Sequence, residues 1–144
     1  MGELQPAHDA LDWVISAQQN AVIKYDNPLP SLLFIPMDLK IDSWPVLLGH
    51  IRKRPELWLN KRSPISLGTF YWGIKFSEKI YKVPEIEWLS GFDFEAFERW
   101  VEYKYNPRKL TFNSMHLAVH LCESEETAFN KWFEWYDLFM LEHG

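Results

Sequence analysis

Apolar residues recur at helical spacing along most of this chain, and prolines, glycines and capping residues separate one such stretch from the next. The pattern predicts helices over residues 6–25, 44–54, 64–82, 94–105 and 114–123, and a last helix from residue 125 onward. Prolines at positions 28, 30 and 36 rule out a regular helix across residues 26–42, where we expect an extended segment. No stretch has strong β character. The sequence therefore predicts an all-α fold, a single-domain bundle of five or six helices.

The helix predicted over residues 64–82 is apolar on two opposite faces. At about 100° per residue, one face carries Ile65, Trp72, Phe76 and Ile80. The opposite face carries Leu67, Phe70, Tyr71, Ile74 and Tyr81, and a basic stripe contains Lys75, Lys79 and Lys82. A helix that is apolar on two faces is usually packed between neighbours. We therefore expect this helix to be the central one, with Gly68 and Gly73 permitting close approach by other helices.

Composition narrows the class of protein. Aromatic residues make up 17% of the 144 residues, so we expect a core rich in rings. Cys122 is the only cysteine, which excludes an internal disulfide, and no signal peptide is recognisable. These two observations favour a reducing, cytoplasmic setting. No apolar run approaches the ~20 residues that span a membrane, and the net charge of −5 argues against nucleic acid as the main partner.

Charge is distributed unevenly along the chain. Residues 1–48 contain 2 basic and 6 acidic side chains, residues 49–82 contain 8 and 2, and residues 83–144 contain 5 and 12. The corresponding net charges are −4, +6 and −7. Two explanations fit this polarity equally well. The segments attract one another inside the fold, or an acidic surface is presented to a basic partner.

His116 and His120 lie four positions apart in a predicted helix, a spacing at which two imidazoles can bind one metal ion. The zinc-protease pattern requires Glu directly after the first His, and Leu117 stands there. Glu123 is the one third ligand that the spacing suggests, whereas protein zinc sites usually have three or four ligands. We therefore predict no metal, no cofactor and no catalytic residue, and hence no enzyme.

Three blocks of the sequence resemble a known family. Residues 50–60 read HIRKRPELWLN and are followed at 63–73 by SPISLGTFYWG, residues 92–101 read FDFEAFERWV, and residues 125–133 read EETAFNKWF. These blocks resemble the motifs of small helical bacterial immunity proteins of contact-dependent growth inhibition and related polymorphic toxin systems. The resemblance covers roughly half the chain and consists mostly of aromatic core positions. It implies a helical protein that binds and neutralises a cognate toxin, expected to be a basic nuclease, one to one.

The acidic C-terminal half supplies the surface that such an inhibitor needs. Glu95, Glu98 and Glu102 repeat at spacings of three and four, which places them on one outer helix face. Glu123 and Glu126 are further candidates for partner binding, and Trp135 is a candidate aromatic anchor at the edge of the last helix's apolar face. An ordinary solvated helix face explains any one of these carboxylates equally well.

Two other functions stay open at this stage. The chain could be a helical protein-binding adaptor or a homodimeric regulatory module, with exposed rings such as Trp58, Trp88 or Trp135 forming the interface. A metal-dependent enzyme that uses His116 and His120 is the less favoured alternative.

Overall fold

The computed structural model describes residues 39–144. Within these residues five helices follow one another: α1 (Trp44–Lys53), α2 (Pro64–Ile80), α3 (Phe94–Tyr105), α4 (Ser114–Leu121) and α5 (Glu125–His143). Two 3-10 turns, Pro55–Leu57 and Glu85–Glu87, lie in the connections. Between residues 39 and 144 there is no β-strand, and one isolated bridge joins Ser43 to Ser90. The predicted all-α bundle is confirmed, whereas the helix predicted over 6–25 and nearly all of the extended segment lie outside the described residues.

Short polar side chains begin each helix where the sequence predicts it. At each N-cap a side-chain oxygen accepts a hydrogen bond from a backbone N–H of the first turn, which satisfies a donor that has no partner inside the helix. The five caps are Ser43, Ser63, Asp93, Asn113 and Ser124. The helix ends are less well predicted. Both α2 and α4 end two residues before the positions expected from the sequence.

The last helix, α5, lies at the centre of the described bundle. It contacts α2, α3 and α4, and seven of its side chains are buried. Phe97 of α3 meets this helix edge-on, with its ring centroid 5.2 Å from that of Trp132 and 5.4 Å from that of Phe139. One continuous core runs from Ile41 to Phe139. The predicted core rich in aromatic rings is therefore confirmed.

Within the described residues α2 is covered on one face only, so its predicted burial on two faces is wrong there. Leu67 and Ile74 are buried, and a side chain at Gly68 would meet Met115 of α4 at 3.4 Å. Close helix contact at Gly68 is thus confirmed. The opposite face remains exposed, and a Cβ added at Gly73 would meet no described atom within 4 Å.

Candidate functional site

The outer face of α3 is set by the way this helix begins and packs. Oδ1 of Asp93 accepts a hydrogen bond from the backbone N–H of Ala96 at 3.0 Å and fixes the start of the helix. Phe97 and Trp100 are buried on the inner face. Glu95 and Glu102, seven positions apart and therefore about two turns apart, are both exposed on the outer face. The predicted placement of these two carboxylates is confirmed.

Glu98 differs from its neighbours because it turns towards α4. Its Oε2 accepts a hydrogen bond from the backbone N–H of Ser114 at 2.7 Å, and its Oε1 accepts one from the Ser114 hydroxyl at 2.5 Å. Burial raises the pKa of Glu98, although both hydrogen bonds act in the opposite direction. The prediction that Glu98 lies on a solvated face beside Glu95 and Glu102 is wrong. Its carboxylate is engaged in holding two helices together.

A shallow cleft lies between α3 and α4 beside Glu98. Its volume is about 100 Å³, and Glu102, Asn106 and Phe112 contribute to its walls. Small-molecule sites usually enclose about 300–1,000 Å³, so this cleft is a feature of the surface rather than a substrate pocket.

Tyr103 is the exposed aromatic residue on the acidic side of α3, and the sequence reasoning missed it. Its side chain is 86% exposed, directly after Glu102 in the chain. Tyr103 follows Glu95 by eight positions, which places it about 80° from Glu95 around the helix and away from the buried side. That angle, read from the sequence, would have identified it. We call Glu95, Glu102 and Tyr103 together the α3 ridge.

Glu123 and Glu126 lie away from the α3 ridge. They follow the C-terminal end of α4, whereas Glu98 contacts the N-terminal end, and eight helical residues span about 12 Å. Glu123 is exposed. Glu126 lies 3.5 Å from the guanidinium of Arg62, measured from Oε1 to Nη1. The structure therefore does not bring the predicted carboxylates together in one patch.

The tryptophans expected at the surface are mostly inside the protein. Trp135 is 3% exposed and stacks on Tyr105, with ring centroids 4.8 Å apart and planes inclined by 15°. The prediction that Trp135 lies at the edge of an apolar face and anchors a partner is therefore wrong. Trp58 is also buried, and half-buried Trp88 donates its indole N–H to the carbonyl of Val83 at 2.8 Å. Of the three tryptophans named for a self-interface, two are therefore buried and the third is half-buried.

Ion pairs between segments account for part of the uneven charge. Nη1 of Arg52 lies 2.8 Å from both carboxylate oxygens of Asp137, and Lys61 Nζ lies 2.6 Å from Glu125 Oε2. Together with the Arg62–Glu126 pair, these contacts join the basic middle segment to α5. The explanation by internal attraction is thus supported for this part of the chain. Glu95 and Glu102 take no part in these contacts between segments, and Glu95 Oε2 lies 3.9 Å from Nη1 of exposed Arg99 on the same helix.

The two histidines of α4 are not gathered with other ligands. Nδ1 of His116 lies 2.8 Å from Oδ1 of Asn113, and the ring of His120 lies 5.2 Å from that of Phe112. Among residues 39–144, no group of three or more His, Cys, Asp or Glu side chains is placed to hold a metal ion.

Comparison with known proteins gives no relative. No family model matches the chain, and no curated protein or solved structure matches it. In the part of the chain that the structure describes, no helix is both long enough and apolar enough to cross a membrane.

Proposed function

We propose that this chain is an immunity protein, which binds a cognate bacterial toxin and blocks its active site. The observation that carries the proposal is the α3 ridge, where Glu95, Glu102 and an 86% exposed Tyr103 project from one helix. An exposed tyrosine is a residue type that anchors protein partners, and carboxylates beside it steer and orient a basic partner. The resemblance of the sequence blocks to helical immunity proteins points to the same class.

The rest of the fold suits such an inhibitor. The inner face of α3 is fixed by Phe97 and Trp100 in the core, and its middle is tied to α4 by Glu98. A binding helix held in this way loses little conformational entropy when a partner docks. The preferred partner is a basic domain, such as the substrate-binding cleft of a nuclease, because Glu95 and Glu102 attract positive charge and steer association.

The direct test uses the product of the gene encoded immediately upstream. Co-expression should restore growth to cells that produce this toxin, and the two proteins should co-purify one to one. Association should slow as salt is raised, because screening weakens the attraction between unlike charges. The proposal would be contradicted if the neighbouring gene product neither bound this chain nor lost its toxicity on co-expression.

A further inference from the structure

The exposed face of α2 is a feature of the described surface that toxin binding does not explain. Trp72, Phe76 and Ile80 follow one another at spacings of four along this face and are 58%, 65% and 57% exposed. Exposed Thr69 and Gly73 lie on the same side of the helix. We call these five residues the outer α2 face. Contiguous apolar surface of this kind usually marks a contact with another part of a protein.

Gly73 indicates how close that contact is. Glycine within a helix destabilises it relative to alanine, and no described atom would lie within 4 Å of a Cβ at this position. No described neighbour therefore requires a glycine here. A glycine at this position allows another helix to approach the α2 backbone closely, and such a helix would cross α2 at Gly73, between the side chains of Trp72 and Phe76.

Charge narrows the choice of occupant. Lys79 and Lys82 are exposed at the C-terminal end of α2 and just beyond it, in the segment with 8 basic and 2 acidic side chains. A second copy of the chain packed on this face would bring like charges together, and a basic toxin domain would do the same. The fitting occupant is an acidic segment with an apolar stripe.

Residues 1–38 of the same chain have this character. They contain five acidic side chains and one basic one. The helix predicted over residues 6–25 has an apolar stripe that includes Leu11, Val14 and Val22. A stripe of this kind requires a covering surface, because a helix of about 20 residues in a protein gains most of its stability when its apolar face packs against other elements.

The start of α1, five residues after the first described residue, lies close to the outer α2 face. The Trp44 ring is 4.8 Å from the ring of Tyr71, which in turn lies 5.3 Å from the ring of Trp72. Residues 26–38 can span about 40 Å when extended, whereas α2, with 17 residues, is about 25 Å long. The connection is therefore long enough to lay the predicted helix along α2.

We infer that residues 6–25 dock as an amphipathic helix on the outer α2 face, with Gly73 at the crossing point. This docking is independent of toxin binding. It supplies the second covered side that the apolar pattern of α2 predicts.

Hydroxyl-radical footprinting of the full chain tests this docking through the oxidation rates of Trp72 and Phe76. Val14→Glu places a charge on the predicted apolar stripe, and its matched control Ser16→Glu places the same charge on the opposite side of the predicted helix. Val14→Glu should raise both rates about threefold, the ratio expected when rings that are 58% and 65% exposed without the docked helix had been covered to about 20%. Ser16→Glu should leave the wild-type rates unchanged. Trp132, which is 1% exposed, should oxidise slowly throughout and so report an intact core.

A second variant keeps the test decisive if Val14→Glu perturbs the core. Gly73→Leu has room among the described residues, so faster oxidation of Phe76 in this variant reports displacement of a docked segment. Equal rates in the wild type and in all three variants overturn the proposal. Protection of the wild type that is lost on dilution over about a tenfold range overturns it in favour of a second copy, because self-association follows mass action.

Discussion

Glu98 of α3 binds Ser114, the first residue of α4, through both of its carboxylate oxygens. The same Ser114 hydroxyl accepts a hydrogen bond from the indole N–H of Trp132 at 2.8 Å. Three helices are therefore linked by one chain of hydrogen bonds, from α5 through Ser114 to α3. A carboxylate placed at the start of α4 is also favoured by the positive end of that helix.

Glu98→Ala should lower the free energy of unfolding by about 1–3 kcal/mol, because it leaves buried donors of Ser114 without an acceptor. Glu102→Ala is the matched control, since it removes an exposed carboxylate from the same helix and should change stability by about 0.5 kcal/mol or less. Urea denaturation of both variants measures the difference. Equal losses would contradict the role assigned to Glu98.

Trp135 and Tyr103 should behave in opposite ways when truncated. Trp135→Ala removes a buried ring stacked on Tyr105 and should cost about 3–5 kcal/mol of unfolding free energy. Tyr103→Ala removes an exposed ring and should cost about 0.5 kcal/mol or less. Thermal and urea unfolding check both values. A Trp135→Ala variant as stable as the wild type would contradict the buried position of this ring.

The sequence predicts the helices better than it predicts which of their faces are covered. Capping residues such as Asp93 and Asn113 bond to backbone groups of the next few residues, so the positions of the helix starts can be predicted from the local sequence. Coverage depends on distant residues. Glu98 is covered because α4 begins beside it. The Trp135 ring is covered by Tyr105, which lies 30 positions earlier in the chain. Helical periodicity places such residues on a face but does not determine what that face meets.

Glu78 should make stability depend on pH. This residue is fully buried on α2, where Oε2 accepts a hydrogen bond from the backbone N–H of Leu89 at 3.2 Å. Its Oε1 lies 3.4 Å from Nζ of Lys75 and accepts no hydrogen bond from the described residues. Burial raises the pKa of Glu78, and it outweighs the attraction of the Lys75 charge, which acts to lower that pKa.

The sign of the pH effect follows from proton binding. A raised pKa means that the folded chain keeps a proton on Glu78 that the unfolded chain releases near the ordinary value of 4.5. This contribution to the free energy of unfolding is present below pH 4.5 and is lost as the pH rises through the folded-state pKa. Glu78→Gln removes the dependence, so its stability should increase relative to the wild type as the pH is raised through that window. Urea denaturation at a series of pH values measures this difference.

Exposed Glu85 in the loop after α2 provides the control for this charge change. Glu85→Gln removes the same charge without a burial cost, so its stability should follow the wild-type pH curve. A Glu78→Gln variant that becomes less stable relative to the wild type as the pH rises would show that the Lys75 ion pair outweighs the cost of burial.

Variants of the α3 ridge should separate two contributions to toxin binding, namely the anchoring of the complex by Tyr103 and the electrostatic steering of association by Glu102. Tyr103→Ala should raise the dissociation constant about 30-fold, as for an anchor worth ~2 kcal/mol, chiefly by speeding dissociation. Glu102→Lys should slow association about tenfold at low salt, because it reverses a steering charge. Glu56→Lys is the matched control, since it makes the same charge change at an exposed site on the 3-10 turn before α2. Stopped-flow binding at two salt concentrations measures these rates, and equal slowing by Glu102→Lys and Glu56→Lys would show that net charge rather than the ridge directs the encounter.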